Sequence, residues 1–339
     1  MHGWIILDKP VGLGSTHAVA AVKRNLRQAG FGKVKVGHGG TLDPLASGVL
    51  PIALGEATKL CGRMLDASKV YDFTISFGIE TSGLDAEGEV VATSDHRPTL
   101  AEIEAVLPRF TGPIEQIPPA YSAIKIDGKR AYDLARAGET VEMKARQVTV
   151  HSLIVSSPLA GEESEACSKG ASVAWRGGAL SPPSPTAAMQ QAAKPSCPLP
   201  QGERIACITL TANVSKGTYI RSLARDIAYA LGTVGHVSML RRTRAGPFSL
   251  EQAISLDKLN VFGQGHPQED IILPIEVGLV DIPALNLSPE QARAIHEGRV
   301  LTGIASNDGQ YWARDAEMRP VALVELVDGL LKTVRGFNL

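Results

Sequence analysis

The sequence predicts an α/β protein of the α+β type, with a mixed, mainly antiparallel sheet in a large domain and a small β-rich domain at its C-terminal end. Three observations lead to this prediction. The length of 339 residues suggests about two domains. Segments with strand-like alternation are interleaved with only a few amphipathic helical segments, which favours a mixed sheet. The last part of the chain contains short strand-like runs and one short helical run.

The N-terminal third supplies a strand, a helix and a second strand-rich region. "GWIIL" is typical of a short buried strand, and the turn-forming "DKPVGLG" ends it. Ser15 or Thr16 is expected to cap a helix that closes at Gly30. Further on, the pattern indicates a helix in "EATKLCGRMLDA", a strand in "KVYDFTISFG", and a helix in "TLAEIEAVLPRF", which starts with a capping box from Thr99 to Glu102.

The middle of the chain continues the alternation. "AYSAIKIDGKRAYDLARAGE" suggests a strand, an Asp-Gly turn and a short basic helix, and "TYIRSLARDIAYALG" is an amphipathic helix that ends at Gly232. Strands are expected in "RQVTVHSLIV" and "RIACITLTANVS", and further short strands, with the helix "PEQARAIHEG" before them, in "VALVELVDG" and "LLKTVRGF".

Residues 156–203 break this pattern. The segment is rich in Pro, Ser, Gly and Ala and has no hydrophobic periodicity, so it cannot bury enough apolar surface to offset the entropy of ordering. We interpret it as a disordered insertion between two strands rather than as a domain linker. "LPIEVGL" indicates a second boundary, which gives a large domain over 1–272 and a small one over 273–339.

The net charge of −1 conceals a strongly uneven distribution. Residues 1–70 carry 9 Lys/Arg against 4 Asp/Glu, and residues 204–250 carry 7 against 1. Residues 71–203 and 251–339 are acidic. If folding joins the two basic segments, they form one positive face of the kind that binds nucleic acid. A solvated basic surface without such a role fits the same counts equally well.

Several classes of protein are disfavoured. The apolar start of the chain is too short for a signal peptide, and no window approaches the length of a membrane span. We therefore expect a cytoplasmic protein without a membrane partner. The four cysteines lack a CxxC pair and the eight histidines lack a ligand-like spacing, so no metal site is expected. "VGLGST" lacks the P-loop ending, and a plain turn into a helix explains it better than a phosphate site.

Asp43 lies near the start of the stretch "GHGGTLDPLASGVLPIALGEATK", in a Gly-rich turn with no second acid beside it. Glycines allow a close approach of other backbone, and Pro44 restricts the conformation just after the acid. A single acid disfavours glycoside hydrolysis and two-metal chemistry, which leaves a nucleophile or a single base. Such a carboxylate must stay ionised, and Arg221 in "SKGTYIRSLARD" is a candidate partner. Tyr71 and Tyr219 could contact a base lifted out of an RNA stack, although ordinary core packing is the better explanation for either one taken alone.

Five segments together resemble the TruB family of bacterial tRNA pseudouridine-55 synthases. They are the Asp43 stretch, "KVYDF", "QIPPAYSAIKIDGKRAYDLARAGE", "SKGTYIRSLARD" and "GHVSMLRRTRAGPF", in the family's order and spacing. The resemblance covers about residues 3–155 and 204–250. It implies the pseudouridine synthase type of sheet, a PUA-like C-terminal domain, and isomerisation of uridine 55 in the T-loop of tRNA without any cofactor.

The resemblance also implies roles for individual residues. Asp43 corresponds to the aspartate that acts at the ribose, either by covalent addition or through a glycal. Tyr71 corresponds to the tyrosine that packs on the flipped uracil and serves in the proton step at C5, and Arg221 to the partner that keeps the aspartate ionised. Tyr219 and Leu240 resemble residues lining the uracil pocket, and His38 the histidine that fills the gap left by the flipped base.

The implied partner is the T-arm of tRNA, and we expect a monomer that needs no guide RNA. Contacts to the RNA backbone are expected from Lys125, Lys129, Arg130, Arg241 and Arg242. Two features depart from the family pattern: residues 156–203 lack a counterpart in it, and residue 39 is Gly where Thr is frequent. A guide-RNA-dependent synthase, an RNA-binding module with dispensable catalysis, and a nucleotide-binding enzyme that uses "VGLGST" remain as alternatives.

Overall fold

The computed structural model describes residues 1–122, 124–126, 128–131, 143–159, 203–264 and 271–339. Most of the segment expected to be an insertion, 160–202, lies outside these ranges, as does the basic helix expected after the Asp-Gly turn. Within them, the helices are α1 Ser15–Gln28, α2 Cys61–Asp66, α3 Leu100–Val106, α4 Ile220–Ala230, α5 Leu256–Phe262 and α6 Pro289–His296. None of them is long and apolar enough to cross a membrane.

The strands of the described residues are, in chain order, β1 Gly3–Lys9, β2 Val36–His38, β3 Ser47–Leu54, β4 Lys69–Phe77, β5 Ile79–Thr81, β6 Val90–Thr93, β7 Gly112–Gln116, β8 Lys125–Ile126, β9 Lys129–Arg130, β10 Arg146–Leu159, β11 Cys207–Val214, β12 Gly235–Ala245, β13 Phe248–Ser249, β14 Ala284–Asn286, β15 Leu301–Thr302, β16 Gly309–Arg314, β17 Pro320–Val327 and β18 Leu330–Gly336. Short 3₁₀ turns occupy Gly55–Leu60, Leu107–Phe110, Leu250–Gln252 and Ile275–Leu279.

The described chain divides into two compact units. The first consists of Met1–Lys69 with Arg241–Leu339, and the second of Val70–Leu240. The division groups the β-rich C-terminal segment with the first 69 residues, whereas the sequence suggested a boundary after residue 272.

In the first unit, β1 and β3 form an antiparallel pair, and β2 and the end of β12 pair along β3, the latter in parallel. The continuous apolar run of "GWIIL" explains this placement, since all five residues are buried and Trp4 and Ile6 enter one core together with Phe248 and Phe337. The C-terminal segment forms a separate five-stranded sheet in the order β14-β16-β17-β18-β15, with its own core against α6.

In the second unit, β4, β11, β10 and β7 are neighbours in that order. Phe73 and Ile75 of β4 point into a core that the apolar stripe of α4 completes, with Leu223 and Ile227 at helical spacing. The mixed α/β class with a mainly antiparallel sheet is thereby confirmed.

Most of the expected elements are present, with differences that include the end of β10, the Asp-Gly turn and the start of α1. Strand β10 continues to Leu159 because its last residues pair with β11, beyond the end expected at 155. The residues around the Asp-Gly turn form the short antiparallel pair β8–β9. Neither Ser15 nor Thr16 caps α1: Gly14 is the N-cap residue, and Ser15 is the first residue of the helix. The hydroxyl of Ser15 has another partner, described below.

Candidate active site

Asp43 lies in the turn that connects β2 to β3, and the glycines before it allow the chain to pass through a narrow space. A Cβ atom at Gly39 would lie 2.6 Å from Cβ of Met64, closer than side chains tolerate. Gly40 has a φ of +136°, a conformation that other residues rarely adopt. Met64 itself is buried in the core of the first unit. A glycine at 39, where the family pattern often has Thr, is therefore required by the position of Met64.

Five consecutive carbonyl groups, from residue 40 to residue 44, accept hydrogen bonds. Arg242 donates to the carbonyls of Gly40 at 3.1 Å and Thr41 at 3.4 Å, and Ser15 donates to that of Leu42 at 2.8 Å. The amide of Ala46 donates to the carbonyl of Asp43 at 3.1 Å, and Gly12 and Lys9 donate to that of Pro44 at 2.8 and 3.3 Å. The backbone that carries the Asp43 carboxylate is thus fixed on both sides of the residue.

The "VGLGST" segment makes hydrogen bonds to the Asp43 turn. The amide of Gly12 is used by the carbonyl of Pro44, and the hydroxyl of Ser15 both donates to the Leu42 carbonyl and accepts from the Leu42 amide, each at 2.8 Å. A phosphate cradle needs such donors free for the ligand. This geometry disfavours the nucleotide-binding alternative.

Arg242 is 1% exposed, and its guanidinium is directed into the protein. Besides its bonds to the turn, it donates through Nε to the carbonyl of Val49 at 2.8 Å. A guanidinium engaged in this way cannot reach a phosphate, so the structure assigns Arg242 to the support of the Asp43 turn in place of the RNA-backbone contact expected from the sequence. The neighbouring Arg241 is about one-third exposed and pairs with Asp8 at 2.8 Å, which leaves it accessible.

A second buried cation, Lys9, lies beside the turn. It is fully buried and donates to the carbonyls of Pro10 and Leu13 at 2.9 and 2.7 Å, in addition to that of Pro44. Burial lowers the pKa of Lys9 to about 8, while the charge of Asp43 raises it and that of Arg242 lowers it. The ammonium group therefore supplies positive potential close to the Asp43 carboxylate at neutral pH.

His38, at the end of β2, is neutral at neutral pH. Burial, together with the charge of Arg242, lowers the pKa of the imidazole below its ordinary value. Its Nδ1 atom accepts a weak hydrogen bond from the amide of Gly40 at 3.4 Å. A neutral, half-buried imidazole presents a flat surface that suits contact with a nucleobase.

In the second unit, Arg221 lies at the start of α4 and is 6% exposed. Its Nη1 donates to the carbonyl of Gly83 at 2.9 Å and to the carboxylate of Asp85 at 3.1 Å, and its Nη2 donates to the carbonyl of Tyr121 at 3.0 Å. The guanidinium is therefore held in one orientation by three groups. A cation fixed in this way is suited to keep a nearby carboxylate ionised.

The buried side-chain amide of Gln116 makes two hydrogen bonds to the backbone of Tyr219. Gln116, which is 2% exposed, accepts from the amide of Tyr219 at 2.8 Å and donates to its carbonyl at 3.1 Å. The residue just before α4 therefore has a fixed backbone, and the direction of its side chain is correspondingly restricted.

Tyr71 on β4 and Leu240 on β12 are partly buried and pack against the same hydrophobic core of the second unit. The structure thus brings these two predicted residues to one core, and the packing role considered for Tyr71 is real. The backbones of Lys125, Lys129 and Arg130 lie in the β8–β9 pair, where Lys125 is opposite Arg130.

Four supporting residues were not found from the sequence: Lys9, Ser15, Asp85 and Gln116. Lys9 is the last residue of the buried strand β1, which is an unusual place for a lysine, and this could have marked it. Asp85 stands in another Gly-containing turn, "TSGLDAEGE", which is a weak signal of the same kind as that at Asp43. The sequence around Ser15 and Gln116 offers no comparable indication.

Comparisons with known proteins agree on a family. Residues 25–171 match the model for the N-terminal domain of the TruB family pseudouridylate synthases, and residues 221–280 match that for the C-terminal domain of tRNA pseudouridylate synthase B. The chain is 62% identical over 337 residues to tRNA pseudouridine synthase B of Novosphingobium aromaticivorans, covering 99% of this chain and 97% of that protein. It is 51% identical to the protein of the same name from Zymomonas mobilis, covering 100% of this chain and 96% of that protein.

The expectation that residues 156–203 form an insertion relative to the family pattern stays a prediction. Among solved structures, an H/ACA ribonucleoprotein bound to a substrate RNA containing 2′-deoxyuridine is similar with a TM-score of 0.65 at 23% identity, over 99% of this chain and 85% of that one. At this identity the likeness concerns the fold.

Proposed function

Because this chain belongs to the TruB family of pseudouridylate synthases, we propose that it converts uridine 55 in the T-loop of tRNA to pseudouridine. The reaction is an isomerisation: the bond between N1 and C1′ breaks, a bond between C5 and C1′ forms, the proton leaves C5, and N1 gains one. No electrons are gained or lost and no group is donated, so the chemistry needs no cofactor.

The observation that carries this proposal is the fixed Asp43 turn. A carboxylate that acts at the ribose must be held at a defined distance from it, and hydrogen bonds to five successive carbonyls supply that constraint. Asp43 either adds to C1′ or removes the 2′ proton to give a glycal; both routes use the ionised carboxylate. We assign Arg221 as the cation that keeps it ionised.

The remaining residues are proposed to hold the extruded uridine. Unstacking a base costs a few kcal/mol, which contacts with flat or apolar side chains can offset. Tyr71 takes the face of the uracil and serves in the proton step at C5, and Tyr219 and Leu240 line its pocket. The neutral His38 occupies the space that the base vacates.

The RNA partner is the T-arm of tRNA, approached by the chain alone in the cytoplasm, without guide RNA and as a monomer. Lys125, Lys129, Arg130 and Arg241 are the proposed contacts to its backbone. The alternative is a guide-RNA-dependent enzyme, because the fold of this chain is similar to that of the H/ACA ribonucleoprotein. Activity on tRNA alone separates the two.

The test uses transcribed, unmodified tRNA with the wild-type protein and Asp43→Asn, with no added cofactor. Pseudouridine is mapped by carbodiimide labelling and primer extension. Asp95→Asn, which removes an exposed acid elsewhere, is the matched control. We expect one new stop in the T-loop with the wild type and the control, and none with Asp43→Asn, while tRNA affinity changes by less than several-fold.

Two other outcomes of this experiment would contradict the proposal. Tight binding of tRNA without any stop would favour an RNA-binding module or a guide-dependent enzyme. Substantial product from Asp43→Asn would show that another group acts at the ribose.

A further inference from the structure

The C-terminal half of α1 and the loop after it carry a positive charge that no acid of the same segment balances. Between Pro10 and Leu42 the sequence has five Lys/Arg and no Asp or Glu. All five side chains are exposed, and among the described parts of the chain none of them forms an ion pair. They are Lys23, Arg24, Arg27, Lys33 and Lys35.

Three of these cations border one cavity of about 600 Å³, which we call the basic pocket. Lys23 and Arg27 contribute from α1 and Lys33 from the loop, while Leu26, Phe31 and Val34 give the pocket an apolar floor. The ring of Phe31 stacks on that of Phe262 with centroids 6.1 Å apart and planes 7° apart. This contact anchors the loop at Phe31, two residues before Lys33, while Lys23 and Arg27 are on α1.

Ordinary helix electrostatics does not account for this charge. A helix C-terminus carries the equivalent of about half a negative charge, which Arg27 in the last turn already balances. Helix α5, which packs against α1, presents Asp257 and Lys258, whose charges cancel. Soluble surfaces usually mix both signs of charge, and a patch of one sign is typical of a surface that meets a polyanion.

The loop on one side of the basic pocket continues along the chain into β2, which belongs to the same unit. The chain passes from Lys33 and Lys35 directly into β2, which ends at His38. At about 3.3 Å per residue, Lys35 lies about 10 Å from His38. The segment that borders the basic pocket is therefore continuous along the chain with the strand that carries His38.

We propose that the basic pocket formed by Lys23, Arg27 and Lys33 binds backbone phosphates of the substrate tRNA. The proposal rests on the proposed function, because its ligand is the substrate of that reaction. The pocket contributes affinity and leaves the chemical step to the Asp43 turn. Its contribution is sequence-independent and falls with salt, as expected for contacts to phosphates.

The experiment compares the wild type with the triple variant Lys23→Gln, Arg27→Gln, Lys33→Gln. Each lost phosphate contact should reduce the slope of log Kd against log salt by about 0.7–0.9. We therefore expect the slope to fall by about two, the affinity for full-length tRNA to weaken by about 10- to 100-fold near 0.1 M salt, and kcat at saturating tRNA to stay unchanged. The control variant, Arg109→Gln, Lys332→Gln, Arg335→Gln, removes three exposed cations elsewhere and changes the net charge equally.

An unchanged affinity and salt slope in the triple variant would overturn the proposal, and so would an equal weakening in the control, which would trace the effect to net charge. A fall in kcat with unchanged affinity would also contradict it. If the wild type makes no pseudouridine, the proposed function fails whatever the triple variant does to binding.

Repeating the titration with an isolated T-arm stem-loop locates the phosphates: weaker binding of the stem-loop places them in the T-arm, and weaker binding of full-length tRNA alone places them outside it.

Discussion

The support that Arg242 gives to the Asp43 turn can be tested by Arg242→Lys, which keeps the charge and removes the planar fork. The guanidinium makes three hydrogen bonds to backbone carbonyls, at 2.8, 3.1 and 3.4 Å. A hydrogen bond from a charged donor contributes about 1.5–3 kcal/mol, and the longest of the three is weak. A lysine can retain one of them, so we expect the free energy of unfolding to fall by about 2–4 kcal/mol.

The same change should reduce catalysis, because the carbonyls of Gly40 and Thr41 lie just before Asp43. A displacement of the reacting group by about 1 Å can cost about 10²-fold in rate. Urea unfolding measures the first quantity and single-turnover pseudouridine formation the second. For stability the control is Arg241→Lys, whose pair with Asp8 is partly exposed and contributes about 1 kcal/mol or less.

Two results would refute this reasoning. If Arg242→Lys were no less stable than Arg241→Lys, the buried bonds would contribute little. If Arg242→Lys lost stability while its single-turnover rate stayed at the wild-type value, the turn would not depend on Arg242 for its position.

Two further predictions concern neighbours of the same turn. Gly39→Thr should lower the free energy of unfolding by about 1–3 kcal/mol, since its Cβ would meet that of Met64 at 2.6 Å. In a double-mutant cycle measured by urea unfolding, Met64→Gly should recover part of this loss. Purely additive effects of the two substitutions would contradict the clash. Because the pKa of Lys9 falls from 10.5 to about 8 on folding, its penalty to stability is full below pH 8 and vanishes as the pH rises through 10.5. The stability of the wild type relative to Lys9→Met should therefore rise by on the order of 3 kcal/mol between pH 7 and 10.5, and a difference that is flat with pH would show that Lys9 titrates normally.

Local patterns predicted the elements well where one face is buried. The alternation in β4 and the helical spacing in α4 each follow from a single core, and the capping box at Thr99 forms as its sequence predicts. The Asp43 motif could also be recognised, because glycines and a proline around an acid are typical of a turn with an unusual backbone conformation.

The sequence could not indicate which distant residues donate hydrogen bonds to the Asp43 turn. Ser15 has the residue type of a helix cap, and only the tertiary structure turns its hydroxyl towards Leu42. Arg242 stands in a run of basic residues that suggests a phosphate contact, yet the run lies along a strand, where neighbouring side chains point to opposite faces. Arg241 therefore remains accessible while Arg242 is buried.

The separation between the residues that form the Asp43 turn and the distant residues that hold it explains how a single carboxylate can be enough for the proposed reaction. The glycines at 39 and 40 permit the turn but cannot hold it, because glycine gives the chain more freedom than any other residue. The constraint comes from Lys9, Ser15 and Arg242, which are 34, 28 and 199 positions away from Asp43 in the sequence. Long-range side chains that bind the carbonyls of a permissive turn convert its freedom into a fixed position, and the order of the active site is thereby tied to the folding of the whole first unit.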